Sequence, residues 1–325
     1  MAGKTKIVLI AFALSLPFWW GINLLEKNLN DFLFWHQVSE NPEVLTADLS
    51  LYQKLETMKP FLKEESGNPE LNVQSAISFL IKRDGQERIL FEKDINEELP
   101  IASLTKLMTA KIVLDNYDLE REITVSKEAV EQEENFGKLE VGKALPAGYL
   151  LYPLLMESSN DAAFSLANDY DGMTEREFVG LMNAEAERLN LKSTAFVNTT
   201  GLDPEDWGPT DRINISTVSD LAGLTKTLLS ESLVWQILST PKYSYFGPEL
   251  VNTNQLLTDE TIDWQGRIIG GKTGYTEMAG GCFLLVLESL NKETLVNIIL
   301  STENTDSRFQ EMKKLVNWLN QAYLW

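Results

Sequence analysis

The chain has 325 residues, one cysteine, one histidine, 44% hydrophobic residues and a formal net charge of −20. That composition excludes a disordered chain, and the charge excludes nucleic acid as a partner, because phosphates call for clustered Lys and Arg. A single cysteine excludes an intrachain disulfide, and a single histidine leaves no histidine set for a zinc centre.

After Lys4 and Lys6, residues 7–25 form an apolar run. At about 1.5 Å per residue, a helix of that length spans roughly the hydrocarbon thickness of a bilayer. Trp19 and Trp20 fall where aromatic side chains sit at a membrane interface. No small-residue cleavage site follows the run, so an uncleaved anchor is expected in preference to a signal peptide. The expectation is a cell-membrane protein with one amino-terminal anchor over residues 1–25 and the remainder outside the cytoplasm. Residues 26–70 read as a juxtamembrane stalk, broken by Pro42, Pro60 and Pro69 and carrying the lone His36.

Residues 71–325 read as one domain. "SAISFLIKR" and "ERILFEK" flank Asp84 and Gly85, a hairpin signal. A long helical middle is expected over 103–238. In it Thr174 and Glu177 have capping-box spacing ahead of "FVGLMNAEAERLNL". Strands return with "RIIGGKTGYT", "GCFLLVLESL" and "ETLVNIILST", the last two joined at Asn291 and Lys292. Phe309, Met312, Leu315, Val316, Leu319 and Tyr323 keep helical spacing to the end. Strands at both ends with helices between them imply an α+β fold: one antiparallel sheet built from both termini, with the closing helix packed on it. Cys282 lies in an apolar strand and reads as a small core residue.

Three motifs carry the chemistry. In "PIASLTKLMTAKIVL", Ser103 and Lys106 are three residues apart at the start of an apolar helix, so the amine can reach the hydroxyl. Serine needs a base to become a nucleophile, and lysine serves as one only where burial or a neighbouring cation favours its neutral form. S-x-x-K recurs at Ser239 and Ser289, but Pro241 interrupts the first and the second is a hairpin turn. "LLMESSNDAAFSLA" places Ser158 and Asn160 between apolar stretches, and "IIGGKTGYT" places Lys272, Thr273 and Gly274 on a strand. S-x-N alone is weak, and K-T-G alone fits a strand end with a solvated lysine. The order of all three is a stronger signal.

That order resembles the motif set of penicillin-binding proteins and class A β-lactamases. Within it, "PIASLTKLMTA", "SSNDAA", "FVNTTGLD", "STVSDLA" and "GGKTGYT" are most similar to blocks of the D-alanyl-D-alanine carboxypeptidases, from about Ser75 to the end. The resemblance implies a β-lactamase/transpeptidase-like fold with a five-stranded antiparallel sheet and a helical cluster. It implies a serine hydrolase that trims the terminal D-Ala from peptidoglycan stem peptides and is acylated by β-lactams, with no metal or cofactor. Ser103 would be the acylated nucleophile, Lys106 its proton acceptor and Ser158 the relay to the leaving amine. Asn160 would position the substrate peptide. Lys272 would attract the terminal carboxylate, helped by Thr273. Gly274 completes the strand motif, and the N–H groups of Ser103 and Tyr275 would form the oxyanion hole.

The chain departs from the family pattern at Ser159, where glycine or aspartate is usual, and at Tyr275, where histidine is frequent. Ser301, Thr302 and Glu303 stand where some members have an arginine for the carboxylate, which leaves that task to Lys272 and Thr273. Two rivals stay open. A class A β-lactamase needs a deacylating glutamate in E-x-x-L-N, and Glu185 and Glu187 in "EAERLN" each miss that register by one. A membrane-tethered sensor, acylated without turnover, shares every residue above.

Overall fold

The computed structural model describes residues 59–325 apart from 65, 134–137, 169, 205–212 and 246, together with Leu29 and His36. The chain divides into two units, Met1–Phe61 with Trp325, and Leu62–Leu324. The expected span at 7–25 and most of the stalk lie outside the described residues. Among the described residues no helix is long and apolar enough to cross a membrane. His36, in the first unit, is helical and exposed.

In the second unit five strands form one antiparallel sheet. They are β1 (Ser75–Ile81), β2 (Glu87–Lys93), β3 (Arg267–Thr276), β4 (Gly280–Glu288) and β5 (Thr294–Thr302). Their order is β3-β4-β5-β1-β2, so β1 pairs with β5 and the two chain ends share the sheet, as expected. Side chains alternate across it. Cys282, Leu284 and Val286 of β4, with Val296, Ile298 and Leu300 of β5, join the large core under the helices. The residues between them face the closing helix, where Phe283 meets Phe309 edge-on at 5.4 Å. The central strands β1, β4 and β5 are covered on both faces and have no solvated side to mark with polar residues, which is why they read as nearly continuous apolar runs.

Seven helices carry the rest of the argument: α1 (Lys106–Asn116), α2 (Ala147–Tyr152), α3 (Asn160–Asn168), α4 (Glu175–Arg188), α5 (Val218–Leu228), α6 (Ser232–Leu238) and α7 (Ser307–Ala322). Helix α1 is buried on every side from Lys106 to Val113. A helix apolar all round belongs in a core. Helix α4 opens with the capping box read from sequence: Thr174 Oγ1 accepts from Glu177 N–H at 3.3 Å, and Glu177 Oε2 accepts from Thr174 N–H at 2.9 Å.

The middle is not wholly helical. Glu122–Thr124 pairs with Ala144–Pro146, and Leu99–Pro100 with Ile215–Ser216. Strands of two or three residues are too short to show a period, and only their distant partners define them. Tyr323 keeps helical spacing in the sequence yet lies beyond α7 in extended conformation, its hydroxyl donating to Leu90 O at 2.7 Å.

Candidate active site

Ser103 sits in a 3₁₀ turn, Ala102–Thr105, that leads directly into α1. Ala102 is left-handed, with φ 47°. The turn is wedged from both sides. A Cβ on Gly201 would lie 2.1 Å from Ala102 O, and one on Gly274 would lie 3.0 Å from Ser103 N. Glycine is therefore the residue that lets the 198–203 loop and strand β3 approach the nucleophile this closely.

Lys106 is fully buried one helical turn on. Its Nζ lies 3.0 Å from Ser103 Oγ, 2.7 Å from Asn160 Oδ1 and 2.5 Å from Thr200 O. Asn160 Nδ2 donates to Glu133 O at 2.7 Å, which fixes the amide with its oxygen toward the lysine. Two of the three partners are carbonyl oxygens and can only accept. A neutral amine has two N–H groups for them and one lone pair left for the serine O–H.

Ser158 follows the π-helical turn Pro153–Glu157 and is itself left-handed, φ 65° and ψ 31°. The residue after it, Ser159, pins this bend. Ser159 Oγ accepts from Ala162 N–H at 3.0 Å and donates to Asp161 Oδ1, while Asp161 Oδ2 accepts from Leu139 N–H at 3.2 Å. The serine at this family-variable position is thus part of a local hydrogen-bond set at the start of α3.

Lys272 is also fully buried and donates to Ser158 Oγ and to Thr273 O, each at 2.9 Å. Burial first, then the charges of Lys106 and Arg308, push its amine well below the ordinary lysine range. Thr273 Oγ1 donates to Thr253 Oγ1 at 2.7 Å. Ser103, Ser158, Thr273, Gly274 and Tyr275 line one cleft of about 280 Å³, together with Glu157, Thr253, Thr305 and Arg308. Lys106, Lys272 and Asn160 lie beneath its floor, reached through hydrogen bonds. The three motifs, up to 171 residues apart by number, converge here.

The structure adds residues that the motif reading missed. Arg308, in the first turn of α7, reaches the cleft: Nη1 donates to Gly274 O at 2.7 Å, and the guanidinium lies 5.0 Å from the Phe309 ring centre. The sequence reading left carboxylate recognition to Lys272 and Thr273 because Ser301, Thr302 and Glu303 hold no arginine. An arginine does reach the cleft, from the next element a few residues on. Its signal, one arginine on a helix face, was indistinguishable from a solvated charge. Asp203 is a second addition. Its carboxylate accepts from Thr276 Oγ1 at 2.9 Å and Met278 N–H at 3.0 Å, holding the β3–β4 turn beside Tyr275.

Other candidates fall outside the cleft. Ser239 Oγ donates to Gln236 O at the end of α6, and Ser289 sits in the β4–β5 turn. Glu185 is held by Arg188 through two 2.7 Å hydrogen bonds, and neither it nor Glu187 lines the cleft. Cys282 is fully buried, and burial pushes its thiol up to about 12, the behaviour of an inert core residue. Among the described residues no His, Cys, Asp and Glu cluster could hold a metal ion.

A family model described as D-alanyl-D-alanine carboxypeptidase, peptidase S11, matches residues 63–304, the segment that contributes every residue of the cleft except Thr305 and Arg308. The chain belongs to this family. The D-alanyl-D-alanine endopeptidase of Pseudomonas aeruginosa is 30% identical to it over 263 residues, 78% of this chain and 80% of that protein. The D-alanyl-D-alanine carboxypeptidase DacF of Bacillus subtilis is 28% identical over 266 residues, 78% of this chain. The match spans 64% of DacF, just under two thirds of its length. Among solved structures, penicillin-binding protein D2 from Listeria monocytogenes in its cefotaxime-bound form superposes with a TM-score of 0.65 at 26% identity, covering 78% of this chain and 98% of that one. The D-alanyl-D-alanine carboxypeptidase of Mycobacterium tuberculosis superposes with a TM-score of 0.66 at 27% identity, covering 79% and 95%. The fold expected from sequence is therefore the fold of the family.

Proposed function

We propose that this family member hydrolyses the terminal D-Ala-D-Ala bond of peptidoglycan stem peptides through an ester on Ser103. The observation that carries the reading is the position of Lys106 Nζ, 3.0 Å from Ser103 Oγ with carbonyl acceptors for its two remaining protons. Lys106 takes the hydroxyl proton as Ser103 attacks the carbonyl carbon. The oxyanion develops between the N–H groups of Ser103 and Tyr275, where each preorganised donor contributes about 3 kcal/mol. The amide C–N bond breaks as Ser158, held by Lys272, delivers its proton to the leaving nitrogen and takes in its place the proton that Lys106 removed from Ser103. Arg308, with Thr273, receives the terminal carboxylate. Water then takes the place of the leaving amine and releases the acid. Asn160 serves this scheme through Lys106, which it orients, beside the contact with the substrate peptide expected from sequence.

β-Lactams enter as substrates that acylate Ser103 and leave slowly. Mass spectrometry of the penicillin-treated protein should place the adduct on the peptide containing Ser103, and a pentapeptide stem should yield free D-alanine. An adduct on Ser239 or Ser289 overturns the assignment. A stable adduct with no D-alanine release points instead to the acylated sensor. The relative named as an endopeptidase supports a second substrate, the cross-linked stem dimer. Comparing monomer release from that dimer with D-alanine release from the pentapeptide separates the two.

The apolar run at 7–25 supports an uncleaved anchor that holds the catalytic unit on the outer side of the cell membrane. Amino-terminal sequencing of the membrane-extracted protein checks this; a mature start near residues 18–30 identifies a signal peptide.

A further inference from the structure

Thr253 lines the cleft but has no part in the acyl-transfer scheme. It follows the short hairpin in which Lys242–Tyr243 pairs with Leu250–Val251. Its Oγ1 accepts from Thr273 Oγ1 at 2.7 Å. Its N–H donates at 2.9 Å to the carbonyl of Met156, in the turn that leads to Ser158. Thr253 therefore bridges the strand that carries Thr273 and the turn that carries Ser158. Val251 is pinned beside it, its N–H donating to Glu157 Oε1 at 3.0 Å.

Exposure alternates along this stretch. Val251 is 49% exposed and Thr253 is half-buried, whereas Asn252 and Asn254 are 7% and 2% exposed. Asn252 Nδ2 donates inward to Leu238 O and Thr240 O, and Asn254 Oδ1 accepts from Leu256 N–H. Val251 and Thr253 thus share the outer side, with Cα atoms at most about 7 Å apart. Val251 is an apolar ledge that continues the cleft wall from Thr253. Lys242 stands opposite Val251 across the hairpin, on the same face, and holds Glu249 at 2.9 Å. The ledge therefore ends at exposed charged groups.

The acyl-transfer scheme places two substituents of one carbon at this wall. The leaving nitrogen faces Ser158, and the carboxylate on the same carbon faces Thr273 and Arg308. Thr253 is bonded to the supports of both. The side chain on that carbon is the substituent left to extend past Thr253 and over Val251.

We propose that Thr253 and Val251 form a subsite for the side chain of the leaving residue, and that it favours an unbranched alkyl chain over the methyl group of D-alanine. This rests on the acyl-enzyme reading above. Methylenes laid on Val251 leave water, and a polar tip stays solvated beside Lys242 and Glu249. A methyl group reaches Thr253 and gains nothing from the ledge. The cross-linked stem dimer has a leaving group of the longer kind, because its amine belongs to a residue that carries a second stem.

The test uses two acylated stem peptides, one ending in D-Ala-D-Ala and the other in D-Ala-D-norleucine, and measures release of the terminal amino acid by the full chain. The kcat/KM for the norleucine peptide should exceed that for the alanine peptide by about fivefold or more, the gain expected from partly covering its extra methylenes. Val251→Ser removes the apolar surface, keeps the N–H for Glu157 and should bring the ratio close to one. Val251→Ile keeps the ledge and should retain the preference. A parent ratio near one overturns the proposal. So does a Val251→Ser variant that loses activity equally on both peptides, since that is the mark of a merely structural role. If neither peptide is cleaved, the carboxypeptidase reading fails separately, and calorimetric titration of the full chain with the two peptides applies the same criterion to binding.

Discussion

Asn160 Oδ1 accepts a hydrogen bond from Lys106 Nζ at 2.7 Å, and the same amine lies 3.0 Å from Ser103 Oγ. The amide is a neutral acceptor, so it orients the amine without favouring the ammonium form as a carboxylate would. Asn160→Asp should therefore move the acid limb of the acylation pH profile upward by about one unit or more. Lys106→Arg cannot release a proton at all, and acylation should fall by roughly 10²–10⁴-fold. Stopped-flow acylation with penicillin from pH 5 to 10 measures both. An unchanged profile for Asn160→Asp, or near-parental acylation by Lys106→Arg, removes Lys106 as the base.

Arg308 should read the substrate terminus. Arg308→Ala is expected to lower kcat/KM for a peptide with a free terminal carboxylate by about 10–100-fold, the cost of one or more hydrogen bonds to a charged group. The same peptide with a terminal amide should change little. Equal losses on both peptides would mean that Arg308 acts by holding Gly274 O and the end of β3, and not by binding the carboxylate.

Gly201 is a backbone requirement of the nucleophile turn. Its φ is +87°, and an added Cβ would meet Ala102 O at 2.1 Å and Ala102 C at 2.4 Å. Gly201→Ala should cost at least about 1–3 kcal/mol from the left-handed conformation alone. It should also slow acylation, because relief of the clash moves the residue before Ser103. Thermal melting and penicillin acylation give the two readouts. A variant with parental values for both would show that the loop yields without disturbing the turn.

Lys272 makes stability depend on pH in a known direction. Its folded-state pKa lies well below its unfolded value, so the unfolded chain binds the extra proton between the two. Stability then rises with pH through that window and is lowest on its acid side. Lys272→Met removes the group, so the stability of the parent relative to the variant should increase as pH rises toward 10. Urea unfolding at a series of pH values measures the difference, and a flat difference would mean that the lysine titrates alike in both states.

Asp203 joins the loop that holds Lys106 to the strand that supplies Tyr275, through Thr276 Oγ1 and Met278 N–H. Asp203→Ala should lower kcat for acylation several-fold more than it raises KM, since it loosens the oxyanion donors and leaves the carboxylate contacts in place. A change confined to KM would reassign it to substrate binding.

The local chemistry of this protein is written in short stretches of chain. Ser103 and Lys106 are neighbours because three residues of helix bring them to one face, whatever the remainder does. The strands at both ends, the turn at Asp84 and Gly85 and the box at Thr174 and Glu177 depend on neighbours within about ten residues, and their signals survive in the sequence. The family motifs added the meeting of Ser103, Ser158 and Lys272, which no local rule contains. Tertiary structure alone decided the rest. Arg308 reaches the cleft because α7 lies on the sheet face with its first turn over Gly274. Thr200 O reaches Lys106 because Gly201 can press against Ala102. Glu157 became a cleft residue through the left-handed bend at Ser158 and a bond to Val251. Each is a contact between segments some 90 residues or a whole element apart, fixed by packing, and a side chain's sequence neighbours carry no record of which distant backbone will face it.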